Sequence, residues 1–132
     1  MTRRFRIRTF DDCLTFVATV ARKVPPGVDV VAGIDRRHRL QVILPMEPGS
    51  PLPEVVDQLA SHFLPREALL VVSNRTGETP ADRPDDELVF EEMAGAARAY
   101  DIVLLDWWIT SGTKAFSIAE FAPSGTGWQR MA

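Results

Sequence analysis

Two stretches of this chain limit what it can become. Ala68–Val72 reads Ala-Leu-Leu-Val-Val, the longest unbroken apolar run, and Ile102–Ile109 is nearly as apolar. A strand with one wet face alternates polar and apolar residues, whereas a strand covered on both faces reads as a continuous apolar run. Both stretches have strand length and fall far short of the roughly 20 residues of a membrane helix. They predict central strands of a sheet with helices on either side.

The remaining segments supply those helices and flanking strands. Arg4 to Arg8 alternates Arg-Phe-Arg-Ile-Arg, a period-two pattern that predicts a short strand with Phe5 and Ile7 inward. Thr9 or Asp11 is placed to cap a helix running to about Lys23, with Leu14, Val17, Ala18 and Ala21 at helical spacing and Phe16 and Val20 widening the stripe. Cys13 falls on this helix. Pro25-Pro26-Gly27 ends it. Val28–Ile34 and Arg39–Leu44 read as a hairpin around the polar turn Asp35-Arg36-Arg37-His38. Pro45–Pro53 is a proline-rich loop. Ser50-Pro51 then looks like an N-cap with proline at the first helical position, opening a helix to about Leu64 that includes His62. After the run at Ala68, Ser73–Asp86 reads as a loop. Asp85-Asp86-Glu87 opens a further helix to about Ala99, with Leu88, Phe90, Met93 and Ala97 for packing. Ser111-Gly112-Thr113 turns the chain into a last strand, Ala115–Phe121. Residues 122–132 form a tail with Trp128. The expected fold is a three-layer α/β/α single domain with a mixed sheet, spanning residues 1–132.

Composition narrows the function. The 132 residues carry 15 basic and 18 acidic side chains, a net charge of −3, so a broad nucleic-acid footprint is not expected. The one cysteine excludes an intramolecular disulfide framework and any CxxC motif. After the early arginines come Asp11 and Asp12, where a secretory signal would continue with apolar residues. A cytoplasmic protein without a membrane segment is expected. No GxGxxG or GxxxxGK[ST] phosphate loop and no GxSxG elbow occurs.

Three segments, Gly33–Leu40, Leu69–Gly77 and Asp101–Ile109, resemble in pattern and order the RadC branch of the JAB/JAMM domains. The resemblance spans roughly residues 28 to 121. It implies a JAB/JAMM, cytidine-deaminase-like fold. The family signature is His-x-His, seven residues, Ser, two residues, Asp. Laid on this chain it falls on Ser73-Asn74-Arg75, Arg83 and Asp86, and of the signature residues the aspartate alone agrees. Catalytic zinc there needs two imidazoles and a carboxylate, and arginine cannot become a ligand. For the family's general-base glutamate the one candidate is Glu47. The resemblance therefore implies the fold without the zinc and without the activity.

Three functional readings follow. In the first, the domain is a pseudoenzyme in which Arg75 forms a plain structural salt bridge with Asp86, stays exposed without a contact, or joins a ligand site built from Ser73, Asn74, Arg75 and Arg83. On the ligand-site version, removing the Arg75 side chain spares folding and weakens binding. In the second, a metal-dependent hydrolase of isopeptidase or peptidase type has a rearranged site around Asp86. Its raw material is Asp35, Asp85, Glu87, Asp106, His38 and His62, with the acids holding magnesium or Ser73 acting as nucleophile. In the third, Trp107 and Trp108 lie on opposite sheet faces, one in the core and the other either packed under a helix or exposed for a partner or a homodimer. The first and third merge into one expectation: a metal-free domain that binds a protein or peptide.

Overall fold

The computed structural model describes residues 5–75 and 83–119. The expected tail, its Trp128 and the last two residues of the expected final strand lie outside them; that strand itself stops at Ser117, short of Ile118 and Ala119. The element order is α1 (Phe10–Lys23), β1 (Asp29–Ile34), β2 (Leu40–Met46), α2 (Leu52–Ala60), β3 (Ala68–Asn74), α3 (Asp86–Arg98), β4 (Val103–Ser111) and β5 (Lys114–Ser117). The five strands form one sheet in the order β2-β1-β3-β4-β5. Only β3 and β4 run parallel, joined through α3; the other neighbours are antiparallel. This is the expected three-layer α/β arrangement with a mixed sheet.

The continuous apolar runs do become the central strands, and every residue of β3 is buried. Alternation sends their side chains into two cores. Ala68, Leu70, Val72, Leu105 and Trp108 pack with α1 through Cys13, Phe16, Val17 and Val20. Leu69, Val71, Leu104, Trp107 and Ile109 pack on the other face with α2 and α3. A register shift opposite Leu69 and Leu70 skips one residue of β4, so that Leu69 pairs with Leu104 and Leu70 with Asp106. The fully buried Asp106 sits at this bulge. Its carboxylate accepts from the backbone N–H groups of Trp107 (2.7 Å) and Ala119 (3.2 Å) and from the Ser117 hydroxyl (2.5 Å).

Several boundaries differ from the sequence reading. The start of the chain contributes a single bridge, Arg6 to Arg39, in place of a strand. Ile7 is buried as expected, but Phe5 is exposed. The buried stripe of α1 is Cys13, Phe16, Val17 and Val20, whereas Leu14 and Ala18 face outward. Thr9 caps α1 in a reciprocal box with Asp12. β2 continues through Pro45, which an edge strand tolerates because no further strand needs its missing N–H. Ser50 does not cap α2: its hydroxyl donates to the Glu47 carbonyl, and Pro51 takes the cap position. α2 stops at Ala60, so His62 lies in the following turn and is exposed. β3 extends two residues further than expected and takes in Ser73 and Asn74. Leu88 on α3 is 61% exposed, not packed.

Candidate functional site

The parallel pair β3–β4 ends at a cleft. In α/β sheets, crevices beyond the carboxyl ends of parallel strands are the usual ligand positions. Here the end of β3, the amino ends of α2 and α3, the loop before α2 and the start of β1 surround a space of about 770 Å³. Five prolines stand on its rim, Pro26, Pro48, Pro51, Pro53 and Pro84, each fixing one backbone angle. Asp29, Asn74, Arg75, Arg83, Asp85, Asp86 and Trp107 supply its polar and aromatic groups.

Arg75 organises the floor. It is the first residue beyond β3, and its backbone N–H donates to the Thr110 carbonyl on β4 (2.7 Å). Its Nη1 donates to Asp86 Oδ2 at 2.6 Å, and the two side chains are only 10% and 7% exposed. Its Cζ lies 5.1 Å from the Trp107 ring centroid, over the ring face, where the negative π cloud attracts a cation. Trp107 is oriented in turn by its indole N–H, which donates to Ser73 Oγ at 2.8 Å. Asp86 has the first position of α3, where the helix dipole favours an anion. Asp85, the cap residue, makes no side-chain cap bond. Asn74 donates from its amide to the Val24 carbonyl (2.8 Å), tying the strand end to the end of α1.

Asp29 lies opposite Ser73 in the sheet register. Burial pushes its carboxyl above the ordinary carboxylate range, outweighing the Ser73 hydroxyl and the nearby Arg75 and Arg83, which pull it down. Sequence reasoning missed Asp29. The signal was present, since a charged residue at the start of an otherwise apolar strand marks the strand's exit toward solvent or a site.

The remaining sequence candidates are scattered. Glu47 is exposed in the loop and does not line the cleft. Glu87 is exposed and outside it as well. Asp35 sits at the far end of β1, where it accepts from the Arg37 and Arg39 backbone and pairs with the Arg39 guanidinium at 2.8 Å. Burial raises its carboxyl, but these bonds win and hold it below the usual range. Asp106 is the bulge acceptor described above. No histidine lines the cleft, and the Ser73 hydroxyl is buried against Trp107. The serine-nucleophile reading is therefore corrected: it lacks both a histidine base and access.

Two further expectations are corrected. Trp107 and Trp108 do occupy opposite faces, but both are buried, at 1% and 2% exposure. Trp108 packs against Phe10 of α1, ring centroids 5.3 Å apart. Neither indole is left for a partner. Arg75 is no spare cation either, because removing it would strand the buried Asp86 carboxylate.

The zinc ligand set of the JAB/JAMM signature does not fit these residues. The three positions of its His-x-His hold a buried serine, an amide tied to Val24 and a guanidinium. Among the described residues no three His, Cys, Asp or Glu side chains come together as a metal site. No helix among them is long and apolar enough to cross a membrane. No family model matches the chain, and no curated protein is detectably similar to it.

Proposed function

We propose that this chain is a metal-free, JAB/RadC-like domain that binds an extended peptide segment of a protein partner in the proline-rimmed cleft. The observation that carries the reading is the buried Arg75–Asp86 pair. It stands where the family pattern would put a histidine and its companion aspartate, and it satisfies the aspartate with a cation that is part of the chain. A fixed guanidinium there keeps the cleft built without an ion. The rim supports a binding role, because a surface with few backbone freedoms loses little entropy when it takes a ligand. The buried, unpaired Cys13 thiol accords with a reducing compartment such as the cytoplasm.

The alternative, a metal-dependent hydrolase centred on Asp86, requires that carboxylate to leave Arg75. The test separates the two. Protein purified without chelator or metal resin is assayed for bound metal by mass spectrometry and then panned against a displayed peptide library. No bound metal is expected, together with enriched peptides whose addition shifts the amide resonances of Gly27, Gly49 and Val89. Stoichiometric zinc, with isopeptide cleavage lost on chelation, would establish the hydrolase instead. Peptide enrichment that is no greater than on a blank support would end the binding proposal.

A further inference from the structure

We infer that the opposite end of the sheet carries an oxyanion site for a phosphorylated small molecule of nucleotide size. The inference is independent of the proline-rimmed cleft and of any family resemblance.

A second cavity of about 790 Å³ opens where β1 ends and β3 and β4 begin. Three arginines line it from three separate parts of the chain. Arg36 comes from the β1–β2 turn, Arg66 from the loop before β3, and Arg98 from the last turn of α3. One carboxylate, Asp101, lies among them. Three guanidiniums against one carboxylate leave two positive charges, which matches a phosphomonoester dianion. The carboxyl end of α3 adds some opposing charge, and Arg98 offsets it first. The Arg36 Nε–H donates to the Pro65 carbonyl at 3.0 Å, which ties that side chain to the loop before β3. The side chains of Arg66 and Arg98 have no ion-pair partner among the described residues.

The backbone marks the same place. Three non-glycine residues among those described have positive φ: His38 (64°), Arg66 (71°) and Asp101 (58°). All three line this cavity. Left-handed backbone costs an ordinary residue energy that glycine does not pay, and such strain gathers at functional sites. Asp101 shows the point. It follows α3 at a helix-ending reversal, with its N–H bonded to the Arg98 carbonyl and the Ile102 N–H to the Ala97 carbonyl. Glycine is the usual choice at such a reversal. Here three glycine-like positions carry polar side chains around one space. His38 lines the same space, and its Nδ1 is buried without a hydrogen-bond partner. Ile102 and Val103 give the cavity an apolar wall for the organic part of the ligand. The volume falls in the range of small-molecule sites, and arginine forks suit phosphate oxygens.

The experiment is an amide-resonance titration of the whole chain with inorganic phosphate and with AMP, in chloride matched for ionic strength. Saturable shifts at Arg66, Asp101 and Ile102 are expected, with AMP binding tighter than phosphate because the apolar wall contributes. Arg66→Gly removes a cation while suiting the local φ. It should weaken AMP binding about tenfold and leave the thermal midpoint unchanged or raised. Asp101→Asn should tighten binding. Shifts reproduced by chloride alone, AMP no tighter than phosphate, or an Arg66→Gly variant that binds as wild type would each overturn the site. So would retention of a short DNA or RNA with no response to AMP.

Discussion

Asp29 and Cys13 show how burial alone sets the chemistry of a side chain. Desolvation pushes the Asp29 carboxyl above its ordinary 3.8. A raised folded value means that protonation favours the native state: its contribution is fully present below the unfolded value and is lost as pH rises through the folded one. Asp29→Asn mimics the protonated form. It is expected to raise the urea midpoint at pH 7, and the gain should vanish as pH falls below about 3.8; urea melts across pH check this. Burial likewise pushes the Cys13 thiol up to about 12, with the Asp106 charge adding to it. The thiolate is the reactive form. Native protein at pH 8 should therefore react with a disulfide reagent far more slowly than the urea-unfolded chain. Equal rates would contradict the burial of α1 against the sheet. Cys13 was legible as a helix residue, whereas its place in the buried stripe was not. Leu14 and Cys13 are both apolar, and only the facing sheet decides which of them turns inward.

The elements were more legible than their ends. Every described helix and every described strand of the sheet was visible as a periodic or continuous apolar segment. Only the start of the chain failed, forming one bridge where alternation predicts a strand. The ends depend on partners that are distant in sequence. β3 runs on through Ser73 and Asn74 because β1 and β4 supply hydrogen-bond partners at Asp29, Ile109 and Thr110. β1 needs Gly33 for a similar reason. A Cβ there would lie 2.7 Å from the Phe63 ring and 2.8 Å from Val42. Gly33→Ala should cost about 1–3 kcal/mol, as overpacking commonly does, read from chemical unfolding. At the other end of α1, Thr9→Ala removes one half of a reciprocal cap. It should cost about 1 kcal/mol, and an unchanged midpoint would mean that the cap is not formed in solution.

At the scale of the whole molecule, the two ends of one sheet carry opposite kinds of site. The carboxyl ends of β3 and β4 meet a proline-rimmed cleft floored by an ion pair, and the other end gathers three arginines. The Arg75–Asp86 pair joins the end of β3 to the start of α3, across a connection that the sequence shows only as a polar loop. Arg75→Ala should destabilise the fold by about 3–5 kcal/mol, because it leaves a buried carboxylate unpaired. The double change Arg75→Met with Asp86→Leu should recover most of that loss, and thermal and urea unfolding of both variants checks it. Local pattern was enough to specify the α/β class, since a strand buried on both faces must be apolar throughout and a helix must offer a stripe. It was also enough to put the two tryptophans on opposite faces, whereas the pairing of Arg75 with Asp86 was suggested only by laying the JAB/JAMM signature on the chain. Burial was beyond it, because burial depends on what lands on each face. Trp107 and Trp108 are core because α1 on one side, and α2 with α3 on the other, cover them. The arginine cavity was beyond it too, since Arg36, Arg66 and Arg98 lie 30 or more residues apart and meet only when three chain reversals stack at one end of the sheet.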